Sequence, residues 1–131
     1  MVKGFFALVL VAAMLMSVAM ADWDSAATAY KRGDVETAFV EFKALADQGD
    51  AAAQYRLGLM YQYGLGVPED EAEAVKWYRR AADQGYAAAQ YSLGNMYNRG
   101  EGVPEDYVQA YAWWNLAAAQ DYESSRSRKS E

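Results

Sequence analysis

A block of 36 residues written twice in succession constrains this chain more than any other feature. Residues 51–86 and 87–122 align without a gap, and 21 of their 36 positions are identical. A weaker copy comes first: residues 38–50 match 74–86 at five of 13 positions, with Phe42 standing for Tyr78. Before it, the run Tyr30 to Asp34 looks like Tyr61 to Asp70 with five loop residues removed. A period of this length marks units that cannot each bury their own apolar face. They must stack, and about three are the usual minimum.

Each unit divides into two helical patterns. Ala53, Leu57, Met60, Tyr61 and Gly64 recur at spacings of three and four, an apolar stripe that ends in glycine. Ala74, Trp77, Tyr78, Ala81 and Ala82 form a second stripe, with small residues beside large rings, as close helix packing requires. Gly64 and Gly100 suit the left-handed backbone that ends a helix, and Pro68 and Pro104 prevent its continuation. Asp70 and Asp106 stand at N-cap positions, with Glu73 and Gln109 three residues on. The expected helices are 24–32, 35–48, 51–63, 71–84, 87–99 and 107–120. The polar residues 123–131 read as a frayed tail. The expected fold is all-α, a right-handed α/α solenoid of about three helix pairs.

The first 21 residues stand apart. Lys3 precedes an uncharged stretch from Gly4 to Met20, and Ala19-Met20-Ala21 has the small-x-small form of a cleavage site. This reads as a signal peptide, 1–21, cut between Ala21 and Asp22, with the product periplasmic or secreted. The alternative is an uncleaved anchor, because 17 uncharged residues approach a spanning length. After cleavage no membrane association is expected. The repeat domain is then 22–122, divided into a degenerate repeat (22–50) and two full repeats (51–86 and 87–122).

Composition narrows the chemistry. The chain has 131 residues with no His and no Cys, and 12 Lys+Arg against 18 Asp+Glu give a net charge of −6. Imidazole bases, thiol nucleophiles, disulfides and His/Cys metal sites are excluded. An acidic chain without a basic stripe is a poor binder of nucleic acid. No cofactor is expected. The acids Glu69, Asp70, Glu71 and Glu73 lack calcium-loop spacing and are read as helix-start residues, so no metal is expected. An enzyme would have to use paired carboxylates as a hydrolase. Most of these acids already serve capping or surface positions, and no catalytic residues are assigned.

The motif A-x-A-Q-Y-x-L-G-x-M-Y-x-x-G-x-G-V-P-x-D, followed by A-x-x-W and A-A-x-Q, resembles that of Sel1-like repeats, relatives of the tetratricopeptide repeat. The resemblance covers 51–122 strongly and 24–50 weakly. It implies an α/α solenoid that acts as a non-catalytic adaptor for a protein partner, in exported bacterial members within the cell envelope. It also implies that the first helix of each pair lines the concave surface. Two departures stand out. Glu41 occupies the position of Trp77 and Trp113, and Asp121 replaces Gly85.

Comparing the two full repeats separates kept positions from divergent ones. In the first helices the differences are Arg56/Ser92, Leu59/Asn95, Gln62/Asn98 and Tyr63/Arg99, and positions 56, 59 and 63 share a stripe. The candidate partner-binding residues are therefore Arg56, Leu59, Tyr63, Asn95 and Arg99, an apolar and cationic face for a peptide or loop. The competing reading is an ordinary solvated face. Tyr55, Tyr61, Tyr91 and Tyr97 read as packing rather than a ligand cage. Arg79 and Arg80, with Lys76, read as complements to a helix dipole rather than an anion site. A second function is self-assembly through a C-terminal flank of Trp113, Trp114 and Leu116, which leaves homo-oligomerisation open.

Overall fold

The computed structural model describes residues 22–129, and the described side chains end at Asp121. The expected leader, 1–21, lies outside the described residues. Among the described residues there are six helices and no strand. They are α1 (Trp23–Lys31), α2 (Val35–Asp47), α3 (Ala51–Tyr63), α4 (Glu71–Asp83), α5 (Ala87–Arg99) and α6 (Tyr107–Lys129). Each helix packs on its neighbours in the chain, so α1/α2, α3/α4 and α5/α6 form pairs, with seams at α2/α3 and α4/α5. Among the described residues no helix is long and apolar enough to cross a membrane.

Aspartates start most of these helices. The carboxylates of Asp34, Asp50, Asp70 and Asp106 accept the backbone N–H of Thr37, Ala53, Glu73 and Gln109 at 3.3, 2.8, 3.1 and 3.1 Å. Helix α5 has no such side-chain cap, because its N-cap is Tyr86. That ring instead packs on Tyr55, with centroids 5.4 Å apart. A cap of about 1 kcal/mol is thus exchanged for aromatic contact across a seam.

The ends of α3 and α5 agree with the sequence reading, and α1, α2 and α4 differ by one residue. The large difference is α6. It continues to Lys129 instead of stopping at 120, so most of the segment read as a frayed tail is helical. After α4 the chain turns at Gly85, whose φ is +89°. The corresponding residue after 120 is Asp121, which pays a steric penalty in that conformation, and the helix runs on.

Loops stack the repeats on one another. Gly66 and Gly102 have φ of +74° and +72°, and a Cβ on either would strike the carbonyl of Val35 or Glu71 respectively. Each loop therefore rests on the first turn of the second helix in the repeat before it. Two apolar clusters fill the interior. The first joins Ala38, Phe42, Leu45, Leu57 and Met60, and is closed by Trp77 from α4. The second joins Val75, Tyr78, Ala81, Ala89, Leu93 and Met96 across the α4/α5 seam.

Amide hydrogen bonds run within each full pair and on across the seam before it. Gln84 Nε2 donates to Gln54 Oε1 at 2.8 Å, and Gln54 Nε2 donates to the Ala46 carbonyl at 3.2 Å. One repeat later, Gln120 donates to Gln90 at 2.9 Å and Gln90 to the Ala82 carbonyl at 3.2 Å. Gln54 and Gln90 are buried, so these bonds satisfy groups that water does not reach.

Candidate functional site

Helices α3 and α5 carry all five residues of the expected binding face, and their environments differ. Arg56 is half-buried, with its guanidinium 6.0 Å from the centre of the Tyr30 ring on α1. Leu59 is half-buried and packs on the second apolar cluster. Asn95 is half-buried. Tyr63 and Arg99 are exposed, and they occupy the same position at the ends of α3 and α5. Arg56 and Leu59 thus have structural partners within the solenoid, while Tyr63 and Arg99 reach outward.

The cations of α4 do not converge on an anion site. Arg80 lies 4.6 Å from the centre of the Trp77 ring, and Lys43 lies 5.6 Å from the same ring. Arg79 is directed to Tyr97, with its guanidinium 5.6 Å from that ring and a hydrogen bond to the hydroxyl. Lys76 pairs with Glu73 at 3.0 Å. These side chains are stacked or paired, and Arg80 also stands in the last turn of α4, where its charge complements the helix dipole. Among the described residues no group of three or more acids is placed to hold a metal ion.

Three of the four repeated tyrosines are packing residues, as expected. Tyr55 lies against Tyr78 and Tyr86, Tyr61 meets Phe39 edge-on at 5.6 Å, and Tyr97 joins the second cluster. Tyr91 is the exception and is 59% exposed. It is the repeat counterpart of Tyr55, and the two differ in their cover. Tyr55 is enclosed by α5 and Tyr86, whereas Tyr91 borders a cavity of about 680 Å³ lined also by Ala87, Ala88, Trp114, Ala117 and Asp121.

The three residues of the expected self-assembly flank diverge. Trp113 is half-buried and turns back onto the second cluster, in the place that Trp77 takes in the first. Its buried Nε1 has no hydrogen-bond partner. Trp114 is half-buried over Gly94, donates to the Tyr91 carbonyl at 3.3 Å and lines the cavity. Leu116 is exposed at the position of Arg80. Of the three, Trp114 alone lies at the cavity.

Beside Trp114 are residues the sequence reading passed over. Tyr107, Tyr111, Trp114 and Ala118 are spaced i, i+4, i+7 and i+11 on α6, one stripe of one helix. Tyr111 meets Trp114 edge-on at 5.6 Å, and Tyr107 and Tyr111 are 55% and 62% exposed. A hydrogen bond to Glu105 raises the pKa of the Tyr107 phenol. The period-3.6 pattern was visible in the sequence, but Tyr107 and Tyr111 replace Glu71 and Val75, so the repeat template hid them.

At the other end, Glu41 accepts the Ser25 hydroxyl at 2.9 Å, and its second carboxylate oxygen is buried without a partner. The surface there is polar, with a shallow pocket bounded by Asp22, Asp24, Ser25, Thr28 and Arg32.

Comparison with known proteins agrees with this architecture. Residues 51–86 and 87–122 each match the Sel1 repeat. A stretch of 45 residues is 44% identical to DAP3-binding cell death enhancer 1 of Rattus norvegicus and equally to that of Mus musculus, covering 34% of this chain and 9% of those proteins. The chain thus spans only a small part of the curated relatives it matches. Among solved structures, it is similar to a Sel1 repeat protein from Oxalobacter formigenes, with 40% identity, a TM-score of 0.65 and 66% of each chain covered. It is also similar to c5321, a protective antigen of uropathogenic Escherichia coli strains with an SLR fold. That match has 46% identity and a TM-score of 0.64, and covers 65% of this chain and 18% of the other. The Sel1 repeat fold generally mediates protein–protein interaction, and the family is typically a non-catalytic scaffold. With both full repeats matched over more than half its length, the chain belongs to the Sel1 repeat family.

Proposed function

We propose that this chain is an adaptor of the bacterial cell envelope that holds a protein partner on the face shared by α3 and α5. The observation that carries this reading is the matched pair Tyr63 and Arg99. They are exposed at equivalent positions of repeated helices whose buried positions are identical, and they differ from each other. An exposed aromatic ring on one repeat and an exposed guanidinium on the next suit a peptide that offers an apolar side chain and a carboxylate. Leu59 and Asn95, both half-buried, stand one turn before them on the same helices, and Arg56 lies over the Tyr30 ring. Export by the 1–21 leader belongs to the same proposal.

The test is photo-crosslinking in cells, with a photoreactive amino acid at position 63 or, on another face, at position 76. A discrete adduct from position 63 that is absent from position 76 and weakened by Arg99→Glu supports the reading. Identical patterns from the two positions overturn it. Fractionation and intact mass of the same protein test the export part, which predicts loss of residues 1–21 and recovery outside the cytoplasm.

A further inference from the structure

One buried hydroxyl ties α3 to α5. Tyr78 reaches from α4, fully buried, with its ring against Gly58 of α3. Its hydroxyl donates to Gln62 Oε1 on α3 at 2.6 Å and also bonds the Ser92 hydroxyl on α5. Gln62 and Ser92 are half-buried. Both stand where the two full repeats differ, and neither is among the five residues of the expected face.

This arrangement occurs once among the described residues. Gly33 and Gly64 end α1 and α3 with the same backbone bond, from Asp34 N to the Ala29 carbonyl and from Leu65 N to the Met60 carbonyl. That register makes Lys31 the counterpart of Gln62. One repeat earlier, then, Lys31, Phe42 and Arg56 hold the three places, and Phe42 has no hydroxyl. One repeat later Trp114 replaces Tyr78, and its ring N–H is given to the Tyr91 carbonyl.

A phenol carries one proton, and Tyr78 gives it to Gln62. Ser92 is therefore the donor in its bond to Tyr78, and its lone pairs remain as acceptors. Gln62, with its oxygen engaged, retains an NH2 group that has no partner among the described residues and is not buried. Thus α3 offers a donor and α5 an acceptor, both held in orientation by one buried oxygen.

In an extended chain a single residue turns its N–H and its C=O to the same side. Such a residue engages both groups at once. Its carbonyl accepts from Gln62 Nε2 and its N–H donates to Ser92 Oγ. The two bonds also set direction: with the N–H at α5 and the C=O at α3, the segment runs from α5 to α3. Arg99 on α5 then meets an acidic side chain, and Tyr63 on α3 an apolar one that follows it in sequence.

We propose that Gln62 and Ser92, positioned by the Tyr78 hydroxyl, bind the main chain of an extended partner segment that crosses from α5 to α3. This rests on the α3/α5 face being the partner-binding face, and adds the conformation and direction of what it holds. Tyr78 is a positioning residue, acting through Gln62 and Ser92.

The probe is a displayed library of short linear peptides, selected on the chain expressed from Met1 and purified as the cell leaves it. Selected peptides are synthesised, and their affinities are measured by fluorescence anisotropy. Expected are peptides in which an acidic residue precedes an apolar one and whose binding is lost with Arg99→Glu. Ser92→Ala should weaken them about tenfold, and Ser92→Thr, which keeps the hydroxyl, should restore most of the loss. N-methylation at one peptide nitrogen should cost a similar factor in the wild type and nothing further in Ser92→Ala. A merely structural role for Ser92 would not produce that coupling. Tyr78→Phe keeps the ring and should also weaken binding about tenfold, with unchanged helical circular dichroism. If it fails to fold, the Ser92 variants and the N-methyl scan decide alone. Peptides that need Arg99 but are indifferent to Ser92→Ala and to N-methylation overturn this inference and leave the α3/α5 face standing. A selection that yields no peptide dependent on Arg99 overturns both.

Discussion

Tyr55 and Tyr91 occupy the same place in successive repeats and have opposite surroundings. The first is enclosed by Tyr78, Tyr86 and α5, and the second borders an open cavity. The two regions share a template, so their difference isolates what a following repeat contributes. At the inner seam, rings are held from both sides and small residues are obligatory beneath them. At the α6 end the same scaffold presents larger rings, and one side is free. Burial in a repeat protein is thus set by stacking as much as by the motif.

The sharpest test of this contrast is removal of the sealed ring. Tyr78→Ala is expected to destabilise the fold by about 3–5 kcal/mol in urea denaturation followed by circular dichroism. Trp114→Ala, at the equivalent open position, should cost clearly less. Equal losses would erase the distinction between the two regions.

A methyl group beneath each ring gives a smaller effect with the same logic. A Cβ at Gly58 would strike the Tyr78 ring, and one at Gly94 the Trp114 ring. Gly58→Ala should cost about 1–3 kcal/mol, because Tyr78 has nowhere to move. Gly94→Ala should cost less, because Trp114 can tilt into the cavity. Thermal melts of the two variants side by side measure the difference.

Next come the amides at the seam. Gln84→Leu removes the donor to the buried Gln54 oxygen and should cost about 1–3 kcal/mol in the same denaturation assay.

Alkali probes the seam more gently. Burial pushes the Tyr78 phenol well above the usual tyrosine range of about 10, with Tyr55 and Tyr63 acting in the same direction. The fold therefore favours the protonated phenol. Its contribution is fully present below about pH 10, where the unfolded phenol is also protonated, and is lost as the pH rises further. Melting temperature should fall above that point, and Tyr78→Phe should flatten the decline. Least of all, Tyr91→Ala should change the stability of the monomer by no more than about 0.5 kcal/mol.

The architecture was largely legible because period, punctuation and ring–alanine alternation agree at the same positions. Three misses have separate physical causes. Asp34 and Asp50 cap α2 and α3, but the run Gly49-Asp50 reads first as the end of the preceding helix. Gln54 and Gln90 repeat identically, yet glutamine is so often exposed that identity alone did not suggest burial. The α6 extension comes from a residue that is absent: without glycine at 121 nothing stops the helix. The candidate face was legible only as a pattern of differences. Two of its five residues, Arg56 and Leu59, have internal partners that the pattern does not reveal.

The amide ladder has a consequence for how such an array changes length over evolution. Each full repeat brings one glutamine that reaches the carbonyl of the repeat before it and one that supports the first from its own second helix. The amide ladder is closed within each unit and its junction. Duplicating or deleting 36 residues in frame keeps these buried amides paired at the new junction. Such a chain can lengthen or shorten by whole repeats in a single genetic event, without compensating changes inside the seam.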